Sequence, residues 1–427
     1  MRGINTGPNR GAPIFLPRFI TGITLTTTPI SPKQAYLKTF YFGLCFCAIF
    51  TGYYVTTSFN SIIYPDTAFI GFLLLYLFYG IGSLLGPSVA KRLGLRTTTI
   101  VMSLGYIFYI GSVNSQIIPL YLIASCVCGF CAGCIWLNQG IWISRISEFS
   151  GNGEQIGRLS GIFYAIFNLN SIIGNIIGIV LTIYNISRET VIWVMMGITS
   201  LGFLMSIFVA PLKSSNPSES KSQGNENSFN TFVGRIREVV DVRKEKLFLL
   251  LIPLIVLQSC SIVISYQTLP VAIALSLDKL LHYYSFLAYG VGAMLFSFLW
   301  GKLYDKDWKF VLFPLILSII VELVLFVILN SLQISKWVWI LVGFLCGIND
   351  YGINSLLTST IISKFSDKST PMFAFYRLLY CVSYVPISII SGKLPYYVLL
   401  SVTGGMLLLS SLCYLYFIFS FRDLINL

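Results

Sequence analysis

The chain has 427 residues, 56% of them hydrophobic and 10% charged, with a formal net charge of +12. A soluble domain carries closer to a quarter charged residues, so this composition, with a mean hydropathy of +0.81, excludes that class and points to an all-α polytopic membrane protein. Nothing in the sequence matches a nucleotide-binding loop, a catalytic triad or a zinc-hydrolase motif, so neither an enzyme nor a cofactor is expected.

Residues 1–35 are rich in Gly, Pro and Thr and carry Arg2, Arg10, Arg18 and Lys33, with no acid before Asp66. They show neither a cleavable signal nor a clear amphipathic helix and read as a disordered cytosolic tail. Membrane spans need ~20 apolar residues each. Taken in order, they are expected at 36–59, 67–90, 97–114, 118–142, 159–184, 190–210, 248–270, 283–301, 310–331, 337–361, 371–392 and 396–420. That makes twelve transmembrane helices, six in a bundle over 36–210 and six in a bundle over 248–420. The polar linker between them, 211–247, opens with KSSNPSESKSQGNENS, which has the composition of a disordered connector. It continues as FVGRIREVVDVRKEK, whose apolar Phe232, Val233, Ile236, Val239 and Val240 recur at helical spacing beside basic residues. That pattern suits an amphipathic helix lying on a membrane surface. Residues 421–427 form a short cytosolic tail.

With the N-terminus placed in the cytosol, 23 lysines and arginines fall on the cytosolic side and four on the other: Arg188, Lys279, Lys336 and Lys393. This bias predicts both termini inside and explains the positive net charge by topology, with no nucleic-acid partner. The sequon Asn185-Ile186-Ser187 falls on the outer side, a candidate glycosylation site at Asn185. Basic tail and sequon are equally compatible with a plasma membrane and an endolysosomal or vacuolar one.

The two halves repeat. Tyr79-Gly80-Ile81-Gly82-Ser83 in span 2 returns as Tyr289-Gly290-Val291-Gly292-Ala293 in span 8; Gly129-Phe130 and Gly133 in span 4 return as Gly343-Phe344 and Gly347 in span 10; Phe163-Tyr164 in span 5 returns as Phe375-Tyr376 in span 11. The offsets are 210, 214 and 212 positions. Three matches in register at equivalent spans predict two parallel six-helix repeats.

Three charges lie within apolar runs: Glu322 in span 9, Asp350 in span 10 and Arg377 in span 11. At ~1.5 Å per residue they sit roughly 18, 15 and 9 Å from the inner face, within reach for Arg377 to meet Asp350. Ionisable groups at that depth have a partner or a job. The Asp350–Arg377 pair reads either as a central ion pair that a proton or substrate breaks, or as a static tie between spans 10 and 11. Glu322 reads first as structural, with ion coupling beside Asp350 as the other reading. Span 5 carries a polar stripe, Tyr164, Asn168, Ser171 and Asn175, and span 7 another, Gln258, Ser261 and Ser265; with Gln139 these are the candidate cavity-lining residues, interhelical hydrogen bonding being the other reading. Cys126, Cys128, Cys131 and Cys134 lie along one helix, which cannot wrap four sulfurs around an ion, so no metal site is expected. Lys91, Arg92, Arg96, Arg158, Lys302 and Asp305 fall at cytosolic helix ends, where they are candidates for latching the halves together.

Six-helix repeats around a cytosolic linker resemble the major facilitator superfamily. Within it, Trp136-Leu-Asn-Gln139-Gly140 followed by Gly157-Arg158-Leu-Ser160-Gly161-Ile162-Phe163-Tyr164-Ala165 resembles the signature of the uncoordinated-ninety-three branch. Asp350 with Asn354 is similar to that branch's Gly-x-Gly-Asp-x-x-x-Asn pattern, with Asn349 in place of the second glycine. The superfamily resemblance implies alternating access around a central site that takes a small solute or cation, with Asp350, Asn354 and Arg377 as its coupling groups. The branch resemblance implies a different role, as a regulatory or chaperone subunit for an ion channel or membrane receptor. The buried charges favour the first and the branch favours the second.

Overall fold

In a computed structural model the chain is helical throughout the residues described, which are 30–64, 66–150, 155–211, 228–274, 279–332 and 337–425. The long helices are α1 (Pro32–Ser58), α2 (Ala68–Leu93), α3 (Leu95–Ser115), α4 (Ile118–Phe149), α5 (Ile156–Ile183), α6 (Arg188–Ser206), α7 (Lys246–Thr268), α8 (Lys279–Asp307), α9 (Leu312–Leu332), α10 (Trp337–Lys364), α11 (Ser369–Lys393) and α12 (Tyr396–Ile425). Among the described residues, ten helices are long and apolar enough to cross a membrane, all of these but α3 and α9. The first of the two opens on Arg96 and a run of threonines; the continuously apolar part of the second is short, Leu312–Ile328. The expected N-terminal tail up to residue 29, the serine-rich connector at 212–227 and residues 426–427 lie outside the described residues.

Local chemistry sets the helix ends. The tail predicted to run to residue 35 stops earlier, because Ser31 and Gln34 cap each other's backbone N–H groups (3.3 and 3.4 Å) and Pro32 sits in the first turn. Gly94, at φ +80°, turns the chain directly from α2 into α3. Two helices are irregular inside. α5 breaks at Asn168, whose side chain donates to its own Tyr164 carbonyl at 2.8 Å. α7 widens into a π-turn over Ile264–Thr268. The second part of the linker forms a helix, Ser228–Asp241, as its spacing predicts. Its Val239 is buried and the helix lies against α2 and α11, so it rests on the bundle as well as facing outward through Val233 and Val240.

Packing inside each half rests on close backbone approach at small residues. A Cβ added to Gly129 on α4 would meet the Leu75 carbonyl oxygen of α2 at 2.1 Å, and one on Gly133 the Tyr79 oxygen at 2.3 Å; in return, one on Gly82 would meet the Phe130 oxygen at 2.2 Å. The same triplet occurs between α8 and α10: Gly343 against Ser285 at 2.2 Å, Gly347 against Tyr289 at 2.1 Å, Gly292 against Phe344 at 2.4 Å. Without water or a hydrophobic drive between helices in lipid, such contact-distance packing is what holds the helices together. Aromatic side chains fill the space behind it, with Phe42, Phe46, Phe50, Trp136, Phe163 and Phe167 forming one ring-to-ring cluster among α1, α4 and α5.

Helices of the two halves meet along a seam, α5 with α8 and α2 with α11. At one end of it Gly157 and Gly301 face each other so closely that a Cβ on either would meet the other's carbonyl oxygen at 2.3 or 2.2 Å. Gly347→Val is expected to lower thermal stability in detergent by the cost of overpacking, about 1–3 kcal/mol, because the clash is with backbone. Gly405→Val, with nothing within 4 Å of its added Cβ, is the control and should melt close to wild type; equal melting of the two variants would contradict the packing described.

Candidate functional site

The seam's middle is built on α10, which is buried from Cys346 to Ile362. Two neighbouring residues on it face opposite ways. Asp350, 2% exposed, accepts a hydrogen bond at Oδ2 from the Tyr289 hydroxyl of α8 at 2.5 Å, and its Oδ1 has no protein partner. Asn349 turns instead to α9, donating through Nδ2 to Glu322 and accepting from Ser318. Cys346 completes that cluster with its thiol 3.3 Å from Glu322. Glu322 is thus fixed on the α9 side of α10, while Leu317, Ile320, Val321 and Val324 of α9 point outward. Its carboxylate is engaged by Asn349 and Cys346.

Arg377 on α11 is 3% exposed. Its guanidinium lies over the rings of Tyr376 and Trp136, 4.6 and 5.2 Å from their centroids, and Nη1 is 3.4 Å from the Tyr376 hydroxyl. Nε and Nη2 have no protein acceptor. Among the described residues no ion pair within 4.0 Å joins Arg377 to Asp350. The contact pair expected from helix depth is therefore absent here. Asp350 is held by α8, and Arg377 reaches across the seam to an aromatic wall of the first half.

Between them lies a polar junction centred on Asn354 of α10. Its Oδ1 accepts from two tyrosines, Tyr164 of α5 at 3.0 Å and Tyr376 of α11 at 3.2 Å. Tyr164 also meets Thr358 at 2.9 Å, and Tyr376 donates to Gln258 of α7 at 2.7 Å. One amide oxygen therefore joins α5, α10 and α11, and the Tyr376 hydroxyl, its one proton shared between Asn354 and Gln258, ties α7 to the same junction. Gln139 is fully buried on α4, one turn from Trp136, with neither amide atom hydrogen-bonded in the protein. Tyr289, Tyr376 and Thr358 were not singled out in the sequence. Tyr376 and Tyr289 carried a signal, because the repeat pairs them with Tyr164 and Tyr79; a tyrosine in a chain with 25 of them carries none otherwise.

The rest of the polar stripes does not reach this junction. Beyond the break at Asn168, Ser171 packs beside Gly290 of α8 and Asn175 is half-buried, donating to the Ser171 carbonyl at 2.6 Å. Ser265 donates to the Ser261 carbonyl at 2.9 Å, and the Ser261 hydroxyl has no partner. Past the π-turn, Gln267 donates to Tyr384 and Ser388 of α11 at 2.9 and 2.7 Å. Tyr384 stacks on Tyr76 of α2, closing that end of the seam across the halves.

At the opposite end Asp305 of α8 accepts from the backbone N–H groups of Gly157 and Arg158 at 2.7 and 2.9 Å, and Arg158 Nε approaches it at 3.7 Å. A carboxylate there satisfies two N–H groups that the first turn of α5 leaves open and sits at the positive end of its dipole. Of the expected latch residues, Arg158 and Asp305 come together. Arg96 donates to the Ile207 carbonyl in its own half, Lys302 lies over Phe298 of its own helix at 4.3 Å, and Lys91 and Arg92 are exposed. Asn185 is exposed and just ahead of Ser187, which caps α6. Among the described residues no group of three His, Cys, Asp or Glu could hold a metal ion; of the buried members of the cysteine series, Cys134 lies in the α2–α4 contact against the Gly82 carbonyl at 3.5 Å, and Cys131 faces Gly105 of α3.

A family model described as Major Facilitator Superfamily matches residues 40–385. The chain belongs to the major facilitator superfamily. This member is also similar, over part of its length, to UNC93-like proteins. It is 24% identical over 145 residues to UNC93-like protein 3 of Arabidopsis thaliana, covering 33% of this chain and 31% of that protein. It is 26% identical over 122 residues to UNC93-like protein MFSD11 of Xenopus laevis, covering 29% and 26%. The matches thus span under a third of these curated relatives. Among solved structures, the human organic anion transporter MFSD10 (TETRAN) superposes with a TM-score of 0.65 at 11% identity, covering 90% of this chain and 100% of that one. The proton:xylose symporter XylE, bound to 6-bromo-6-deoxy-D-glucose, gives 0.63 at 14% identity, covering 88% and 94%. These likenesses show the fold; with the family and the ten apolar helices, they make the chain a multi-pass integral membrane protein of a transporter superfamily.

Removing the Asp305 carboxylate is expected to loosen its end of the seam. In Asp305→Ala, a Ser160→Cys reporter, fully buried beside the glycine contact in the parent, should react several-fold faster with a membrane-impermeant maleimide than in the Asp305 parent. Unchanged labelling would mean that the glycine contact alone keeps that end closed.

Proposed function

We propose that the protein is a secondary transporter that moves a small solute or ion by alternating access. Twelve membrane helices form two parallel six-helix repeats, about 36–210 and 248–420, joined by the linker at 211–247, with both termini cytosolic. The duplicated glycine contacts of α2 with α4 and α8 with α10 support the repeat, and the charge bias of the loops supports the orientation. The central site is the junction of Asp350, Asn354, Arg377, Tyr164, Gln139 and Gln258. Rocking of the halves opens the seam alternately at the Asp305 clamp and at the Tyr76–Tyr384 stack.

One observation carries this reading. Asp350 sits at mid-helix in the seam with one oxygen held by a phenol of α8 and the other free of protein partners. A carboxyl in that setting exchanges a proton or receives a cation, and its change of charge alters what the seam around it can pair with. The two solved neighbours are named for an organic anion and for a proton with xylose, so superfamily membership by itself selects no solute.

The UNC93-like relatives favour a second reading, a regulatory or chaperone subunit for an ion channel or receptor, in which the fold persists and the outer surface carries function. Flux in liposomes separates the two. Wild type should move protons or potassium together with a solute from a broad panel, and folded Asp350→Asn should lose the ion-driven component at least about tenfold, the order of effect of removing an essential proton-transfer group. Full flux in Asp350→Asn would reduce the acid to a structural part. No flux from folded wild type would favour the accessory reading.

A further inference from the structure

The guanidinium of Arg377 is the largest electrostatic demand in the seam that the protein leaves unmet. We infer that Arg377, with Gln139 beside it, is the recognition group for a small organic anion bearing a carboxylate; this rests on the transporter reading above. A guanidinium is permanently charged and offers five N–H donors in a planar fork. Here one nitrogen, Nη1, is directed at the Tyr376 hydroxyl, and the two without a protein acceptor are Nε and Nη2. Those two form the side-on edge of the fork, the edge that binds both oxygens of one carboxylate through parallel hydrogen bonds.

The surroundings point to the same ligand. The guanidinium lies over Tyr376 and Trp136, with Tyr79, Tyr164 and Tyr380 around it, all uncharged; Asp350 is the acid that acts on it electrostatically. Asp350, the nearby carboxylate, makes no contact with it and is engaged by Tyr289. Gln139, fully buried and without a partner at Nε2, and Gln258, whose Nε2 is likewise free, supply neutral donors for the lone pairs a fork leaves open. The rings of Trp136 and Tyr376 give a flat apolar wall against which an anion with an apolar or aromatic body can pack. Arg377 comes from α11 and Trp136 and Gln139 from α4, so the ligand would bridge the two halves that alternating access must part and rejoin.

Thermal unfolding of the purified full chain, titrated at constant ionic strength with benzoate, benzamide and benzylamine, tests the inference without requiring transport. Benzoate should raise the melting temperature of wild type, while its neutral and cationic isosteres should not. Arg377→Gln should weaken benzoate binding at least about tenfold, the loss expected for a bidentate charge-assisted contact, and Arg377→Lys should fall between. Gln139→Leu should weaken it less, and Asp350→Asn should keep or strengthen it. Equal stabilisation by benzamide, unchanged binding in Arg377→Gln, or no stabilisation of wild type by benzoate, acetate or phenylacetate up to tens of millimolar would each overturn the anion site. Should Arg377→Gln fail to fold, Arg377→Lys decides: undiminished benzoate binding there overturns the fork, weakened binding supports it. Ion-driven flux that depends on Asp350 without any anion preference would leave the transporter reading standing and remove only this one.

Discussion

The arrangement depends on backbone-to-backbone contact at glycines. A bilayer gives helices no hydrophobic reason to prefer each other over lipid, so they adhere through close packing and through polar groups that must find partners inside the protein. Where α10 crosses α8, Gly343, Gly347 and Gly292 let main chains touch. That contact fixes the rotation of α10, and rotation decides which residues of Asn349, Asp350 and Asn354 face which neighbour. The buried acid meets Tyr289 because Gly347, three residues before it, is pressed against the Tyr289 carbonyl.

The same logic explains why two acids only a helix apart have different surroundings. Glu322 has an amide donor and a thiol within its own half, and nothing from the first half reaches it. Asp350 stands where both halves contribute. Asn354, one turn further along the same helix, takes hydroxyls from Tyr164 and Tyr376, the two tyrosines that the repeat pairs across 212 positions. Both halves of the chain thus bring a hydroxyl to one acceptor.

Much of this was legible in the sequence. Apolar runs located most helix ends to within a few residues, because length and composition alone set a span, and the two glycine-bearing matches anticipated the contacts that recur between α2 and α4 and between α8 and α10. The acid in the middle of α10 stood out because nothing else in the run was charged. What the sequence withheld was direction. Helical depth brought Arg377 within reach of Asp350, but depth says nothing about which way either side chain turns, and neighbouring aromatics decided it. The stripe on α5 assumed a straight helix, and the helix is interrupted at Asn168. The loops carried many basic residues at helix ends, and their spacing did not reveal that Arg158 is the one beside Asp305, where Gly157 and Gly301 bring α5 and α8 together.

The separation of Asp350 from Arg377 is itself part of the proposed coupling. Two unit charges 4 Å apart gain about 4 kcal/mol at an effective dielectric near 20. Held apart, the arginine gains roughly 2 kcal/mol over desolvated aromatic faces, and the carboxyl about 1.5–3 kcal/mol from a short phenol hydrogen bond. The two arrangements are therefore balanced to within a few kcal/mol. A proton arriving on Asp350 removes the attraction that draws the pair together, and an anion arriving at the free edge of Arg377 replaces it. Either event tips the balance in the same direction, so proton and anion would favour each other's binding while touching different residues. Linkage of that kind needs only the two groups to share one seam and to have more than one partner within reach, which is the arrangement α8, α10, α11 and α4 provide.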